Sequence, residues 1–220
     1  MKKLLLVLLL ISCTTLAQTF DNIPTGKGYY INKLIVNPSG DDLTNEYIEI
    51  RGPKGAIIPS NLYLISIEGD GESGKTNMGK VDEALQLGDG NRTFGTNGIV
   101  AVVCNYTDEN TNVKTNNPYS TFISTDATVI TIELTGNDVT GSSSSNTSTK
   151  TPDIGYDGNF LDPSATYMLI TSDANPDARN IDTSPQDGII DATGDHITQN
   201  WVLYDSVSYL DDDDFDTVLS

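Results

Sequence analysis

The sequence has a single histidine, His196, and only two cysteines, Cys13 and Cys104. One histidine excludes metal sites built from several imidazoles, and no Gly-x-Ser-x-Gly segment supplies the serine of a hydrolase nucleophile elbow. Asp195 is adjacent to His196 in sequence, but adjacency alone does not orient an imidazole as a catalytic triad requires. We therefore predict that the chain has no catalytic residues and is not an enzyme.

Basic residues are scarce as well. The chain has 12 Lys and Arg against 31 Asp and Glu, which gives a formal net charge of −19 at pH 7. An acidic surface repels phosphate groups, so nucleic acid and anionic lipid are poor partners for this chain alone. The same charge attracts cations and favours solubility.

Long apolar runs are missing except at the N-terminus. Lys2 and Lys3 precede an unbroken apolar run at residues 4–11, and small residues follow at 15–17, which is the pattern of a signal peptide over residues 1–17. The run is shorter than the ~20 apolar residues that span a bilayer. Cleavage after Ala17 is one prediction; a lipobox ending at Cys13, which would then carry lipid, is the alternative. Both predict an exported chain, extracellular or at the cell surface, without a transmembrane segment.

After a lead-in at residues 18–29, strand-like runs alternate with turn residues. The runs are rich in Val, Ile, Thr and Tyr, and Gly, Asn, Asp, Pro and Ser bound them. They lie at residues 31–37, 47–51, 62–68, 98–104, 128–134, 167–171 and 201–210. Residues 78–87 are the only candidate for a turn or two of helix. We predict one all-β sandwich domain over residues 30–220, with polar insertions at 106–119 and 136–150, the second a mobile loop.

The residue pattern within two runs predicts what each face of the strand contacts. Ile48 and Ile50 should face the core while Glu49 and Arg51 face water. Residues 98–104 are apolar on both faces, which indicates a central strand, and Cys104 should pack there as a small hydrophobe. With Cys13 removed or acylated, no internal disulfide can form.

A phosphate-binding pattern at residues 69–76 lacks its structural context. The letters GDGESGKT satisfy the G-x-x-x-x-G-K-[ST] rule after an apolar strand. A true phosphate loop needs a helix directly behind it and a parallel sheet. Asn77 and Gly79 interrupt any such helix, and no strand–helix alternation follows. We interpret the segment as a Gly-rich hairpin loop.

An acidic loop at residues 180–191 is the one candidate metal site. Hard cations such as calcium take six to eight oxygen ligands, which Asp-rich loops with a tight glycine turn supply. Asp187 and Asp191 fit ligand positions around Gly188, and Asp182 lies just outside that frame. The ligand set is incomplete, so a calcium loop and a plain acidic turn both remain open. A second acidic run, residues 211–214, is interpreted as a solvated turn.

Aromatic side chains outside the strands offer a second kind of site. Tyr29, Tyr30 and Tyr119 are candidates for an exposed contact with an extracellular protein or a carbohydrate.

Two segments resemble a known family. Residues 31–42, INKLIVNPSGDD, lead into NEYIEI at 45–50, which is similar to the opening of lamin tail domains in exported bacterial proteins. Residues 204–209, YDSVSY, resemble that family's closing strand, and NLYL at 61–64 stands where the family has a Gly-Trp-x-Leu turn. Lys33 stands where the family commonly has Glu, and Tyr63 stands where it usually has Trp. The resemblance implies an immunoglobulin-like β-sandwich of the lamin tail type.

These observations predict a secreted, non-catalytic binding or scaffolding module of the lamin tail type. This interpretation requires no cofactor, although calcium would stabilise the acidic loop if it binds. Because lamin tail domains of bacteria often accompany catalytic domains, the alternative is an N-terminal accessory domain of a larger exported nuclease or phosphatase, whose catalytic part would lie beyond residue 220.

Overall fold

A computed structural model describes residues 26–36, 45–69, 79–108, 110–135, 142–144, 149–150, 164–176, 181–182 and 200–210. These segments form eleven strands and one short 3-10 helix, which confirms the all-β prediction. The strands are β1 (Tyr30–Ile35), β2 (Tyr47–Arg51), β3 (Leu62–Glu68), β4 (Val81–Gln86), β5 (Ile99–Thr107), β6 (Lys114–Thr115), β7 (Thr128–Thr135), β8 (Ser142–Ser144), β9 (Thr149–Lys150), β10 (Ala165–Thr171) and β11 (Val202–Tyr209); the helix is Pro118–Thr121. No helix in the described segments is long and apolar enough to span a membrane.

The strands form two sheets. The first has the order β1-β2-β5-β7-β8-β9, with β6 paired to the end of β5, and the second has the order β11-β10-β3-β4. All described pairs are antiparallel except β5 and β7, which run parallel. Parallel neighbours need a crossover between them. The crossover, which is the part of the chain between β5 and β7, carries the 3-10 helix over the outer face of the first sheet. Aromatic side chains reach that face in this way.

The main core lies between the two sheets. Ile48 and Ile50 of β2 are fully buried in it, and Glu49 and Arg51 point to the other face and are half-buried, so the predicted alternation is confirmed apart from the partial shielding of its polar face. β5 lies between β2 and β7 with its central residues buried on both faces, as predicted, and Cys104 is buried among apolar side chains. Complete burial of one Ile or Leu contributes ~1.5–3 kcal/mol, so this cluster is a principal source of stability.

A second apolar cluster covers the outer face of the second sheet. Met168 and Ile170 of β10 pack there with Tyr63 of β3, and Ile181 and Trp201 lie against them. Every residue of β10 is therefore buried. The second sheet is therefore shielded on both faces along β3 and β10, whereas the first sheet presents part of its outer face to solvent.

Two sequence predictions are wrong in their secondary structure. The proposed helical turns at 78–87 form β4 instead, because pairing with β3 outweighs the helix preference of Glu83, Ala84 and Leu85. The predicted mobile loop at 136–150 contains the short strands β8 and β9, which extend the first sheet beyond β7. Backbone pairing with an existing edge, rather than apolar pattern, places them there.

The phosphate-loop pattern connects β3 and β4. The Gly79 amide donates to the Glu68 carbonyl at 2.7 Å, and the Glu68 amide donates to the Lys80 carbonyl at 2.9 Å. These bonds close an antiparallel hairpin, and a strand rather than a helix follows. The hairpin interpretation is confirmed at its base; residues 70–78 lie outside the described segments.

One edge of the first sheet is tied to the second. β1 is the edge strand, and its Ile31 amide donates to the carboxylate of Asp205 on β11 at 2.8 Å. A charged side chain on an unpaired edge amide opposes strand addition there.

Candidate functional site

The exposed outer face of the first sheet carries a cleft of about 170 Å³. Four strand residues from β1 and β2 and two aromatic residues from the crossover form it. We call it the outer-face cleft; its lining residues are Lys33, Ile35, Tyr47, Glu49, Tyr119 and Phe122.

A β-bulge in β1 directs two donors at one carboxylate. The β1–β2 register passes from Ile31 opposite Ile50 to Lys33 opposite Glu49, so Asn32 is the extra residue. Its Nδ2 donates to Glu49 Oε2 at 2.6 Å, and Lys33 Nζ lies 3.5 Å from Glu49 Oε1. A regular strand would point these neighbours to opposite faces. The bulge therefore places both on the outer face, where they hold Glu49.

Tyr47 completes the polar part of the cleft, which it forms with Asn32, Lys33 and Glu49 and which we call the polar floor. It is two residues from Glu49 on the same strand, so the two share a face, and its hydroxyl donates to Glu49 Oε1. Lys33 Nζ lies 5.3 Å from the centroid of the Tyr47 ring, within cation–π range. Glu49 thus interacts with three donors and Lys33 with two partners.

These contacts fix the protonation of the floor. Burial acts to raise the pKa of Glu49, but hydrogen bonds from Tyr47 and Asn32 and the positive charge of Lys33 outweigh burial, and the pKa is lowered. Burial, followed by the hydrogen bond to the Glu49 carboxylate and its charge, raises the pKa of the Tyr47 phenol. At neutral pH Glu49 is a carboxylate and Tyr47 a neutral phenol. The cleft therefore combines an ionised hydrogen-bond acceptor with a neutral hydroxyl.

Tyr119 and Phe122 of the crossover form the aromatic wall of the cleft, and one buried asparagine holds this wall in place. Asn117 is 2% exposed; its Nδ2 donates to the Glu46 carbonyl at 2.6 Å, and its backbone amide donates to Asn105 Oδ1 at 2.9 Å. Its own Oδ1 accepts from the Tyr119 amide at 2.9 Å and so caps the 3-10 helix. Pro118 begins that helix, where its fixed φ suits the first turn. The crossover is thereby attached to both β2 and β5.

Two rings project from this wall. The Tyr119 ring packs on Tyr47 with centroids 5.5 Å apart and planes inclined by 36°. Phe122 is 84% exposed at the rim of the cleft. The arrangement offers a fixed polar floor beside an accessible aromatic ring.

The three tyrosines predicted to form an exposed contact do not lie together. Tyr29 stacks on Phe94 with centroids 5.6 Å apart and meets Tyr204 edge-on at 4.9 Å, so it lies at the border of the core and away from Tyr119. Tyr30 is exposed but pairs with Arg51 at the end of β1 remote from Ile35. Tyr119 alone reaches the cleft.

Two residues of the acidic loop, Ile181 and Asp182, lie in the described segments. Asp182 is 1% exposed and follows Ile181, whose amide donates to the Gly79 carbonyl at 2.7 Å. Asp187 and Asp191 lie outside the described segments, as do His196, Cys13 and Ala17. Within the described part of the chain, no three His, Cys, Asp or Glu side chains are grouped as a metal site requires. The calcium loop stays a prediction.

Sequence reasoning missed most of the cleft. The alternation around Ile48 already puts Tyr47 and Glu49 on one face, and that signal was available. The bulge at Asn32 and the path of the crossover leave no mark in the pattern of apolar residues, so Lys33 and Phe122 could not be joined to them.

Comparison of the chain with protein-family models, with curated proteins and with solved structures yields no match.

Proposed function

We propose that the chain is an exported, non-catalytic binding module and that the outer-face cleft is its ligand site. The observation that carries the proposal is the Glu49 carboxylate, which accepts from Tyr47 and Asn32 and pairs with Lys33 beside an aromatic wall. A charged group whose neighbours are already oriented presents itself to a ligand without reorganisation. Polar groups that converge in a concave, partly aromatic surface are the usual features of a recognition site.

The size of the cleft restricts what enters it. Sites that enclose a whole small molecule have volumes of roughly 300–1,000 Å³. A cleft of about 170 Å³ takes one ring or one side chain. The partner is therefore larger than the cleft, either an extracellular protein or a carbohydrate chain that contributes one unit to it.

The chemistry of the floor favours binding over turnover. Glu49 accepts from Tyr47 and Asn32 and is paired with Lys33, so both charged groups are engaged in holding the cleft together. The remaining lining groups are aromatic or aliphatic.

Binding arrays test the proposal. Fluorescently labelled full chain is applied to carbohydrate and protein arrays beside Phe122→Ala and Ile57→Ala. Phe122 and Ile57 are both exposed apolar residues, but only Phe122 lines the cleft. We expect signals that Phe122→Ala removes and Ile57→Ala retains. Binding signals that Phe122→Ala leaves unchanged would contradict the proposal. Turnover of ester or phosphodiester substrates by the purified chain would contradict it as well.

Export and family membership belong to the same proposal. The signal-like residues 1–17 support export, and mass spectrometry of the exported chain tests it: a mature protein that starts at Gln18 indicates free secretion, and a lipid-modified Cys13 indicates an anchor. The strand segments around Ile31 and Tyr47 support the lamin tail resemblance. Superposition of an experimental structure on lamin tail domains tests that assignment, and a different strand order would contradict it.

A further inference from the structure

We propose that the outer-face cleft binds one sugar ring of a neutral oligosaccharide. This inference rests on the proposed function and specifies its ligand class. It follows from the charge, the unused hydrogen-bonding capacity and the exposed ring of the cleft.

The charge balance of the cleft favours an uncharged ligand. Lys33 and Glu49 form an ion pair 3.5 Å apart, so a charged ligand group meets an opposite charge that is already neutralised. Anionic ligands are opposed further by the net charge of −19. A neutral polar ligand is subject to neither penalty.

The spare hydrogen-bonding capacity of the floor matches a pair of hydroxyls. An ionised carboxylate has about four acceptor positions, and three neighbours occupy the Glu49 carboxylate. A lysine ammonium has three donors, and Lys33 directs one at Glu49, so its others remain available in a half-exposed side chain. A hydroxyl both donates and accepts. Adjacent sugar hydroxyls satisfy the remaining acceptor of Glu49 and a donor of Lys33 together.

The aromatic rim matches the other side of a sugar ring. A pyranose has an apolar face of C–H groups that packs on aromatic rings, and Phe122 offers such a ring with 84% of its surface exposed. Tyr119 is fixed beside it through Asn117. A sugar ring has an apolar face and several hydroxyls, so it can pack on Phe122 and reach the polar groups of the cleft at once, whereas an aliphatic or a carboxylate side chain makes only one of these two contacts.

The experiment is calorimetric titration of the full chain with soluble cello-, xylo-, manno- and malto-oligosaccharides. We expect one of these to bind, and Phe122→Ala to weaken its binding by about tenfold or more, as loss of a central aromatic contact does. Glu49→Ala should weaken it similarly. Ile57→Ala is the matched control: Ile57 is an exposed apolar residue like Phe122 but does not line the cleft, and binding should stay within about twofold.

The outcomes separate this inference from the proposed function. If none of the oligosaccharides binds while a protein ligand binds in a Phe122-dependent manner, the carbohydrate inference is wrong and the binding module stands. If an oligosaccharide binds equally well to the wild type and to Phe122→Ala, the cleft is not the site and both fail. Tighter binding of an oligogalacturonate than of every neutral chain would overturn the charge argument. Because Phe122 is exposed, its variant keeps the test valid even if Glu49→Ala does not fold.

Discussion

The side-chain amide of Asn117 donates a hydrogen bond to the backbone carbonyl of Glu46 at 2.6 Å, although 71 residues separate them in sequence. Because Asn117 also caps the 3-10 helix, one buried side chain joins the start of β2 to the aromatic wall. The floor and the wall of the cleft are therefore coupled through a residue that does not line it.

Asn117→Ala should destabilise the fold by about 2 kcal/mol, because it removes two side-chain hydrogen bonds and leaves buried backbone groups without them. Urea unfolding measures the change. Thr121→Ala, at an exposed position of the same 3-10 helix, is the control and should change stability by less than about 0.5 kcal/mol. Equal midpoints for Asn117→Ala and the wild type would show that the wall is held by other contacts.

Glu49→Gln should reduce stability at pH 7 by about 1–2 kcal/mol, because it weakens charge-assisted hydrogen bonds. The pKa of Glu49 is lowered in the folded chain, so its contribution is complete above the unfolded value of about 4.3 and is lost as the pH falls through the folded value. The difference between wild type and Glu49→Gln should therefore shrink as the pH drops below about 4.

Urea unfolding at pH 7 and at successive acidic pH values checks this. Asp126→Asn, at an exposed carboxylate in the crossover between β5 and β7, is the control and should differ from wild type by less than about 0.5 kcal/mol at pH 7. A Glu49→Gln difference that is constant from pH 7 to pH 3 would mean that the carboxylate charge does not stabilise the floor.

Trp201 reports on the second apolar cluster, since it is the chain's single tryptophan and is 3% exposed. Its fluorescence should be poorly quenched by iodide in the folded chain and strongly quenched in urea. Trp201→Ala should cost about 3–5 kcal/mol, a large share of the ~5–15 kcal/mol of a typical domain. Val207→Ala, partly exposed on β11, is the control. A loss below about 1 kcal/mol for Trp201→Ala would contradict the burial of that sheet face.

Calcium should raise the unfolding temperature if residues 180–191 form a calcium loop. A ligand that binds only the native state, at 100 times its dissociation constant, adds about 2.7 kcal/mol, which is a shift of several degrees. Thermal unfolding in millimolar calcium and in EDTA measures it. Asp187→Ala with Asp191→Ala should abolish the shift. Identical unfolding curves of the wild type in calcium and in EDTA would show that the loop is a plain acidic turn.

The fold was more predictable than the site because burial leaves a periodic mark on the sequence. β2 and β3 begin and end at the predicted residues, since their alternating or apolar runs are bounded by turn residues. β4 was missed because Glu83 and Ala84 favour helix in isolation and only pairing with β3 makes them a strand. The cleft depends on a one-residue bulge and on a crossover, which are tertiary features without a sequence period.

The most direct test of a cleft-based binding module is a map of amide chemical shifts in the ¹⁵N-labelled full chain, titrated with the neutral oligosaccharides named above. The account predicts shifts concentrated at residues 32–35, 47–49 and 117–123, with the amide of Ile57 unaffected. Shifts confined to other surfaces, or a spectrum unchanged at saturating oligosaccharide, would contradict the carbohydrate-binding cleft.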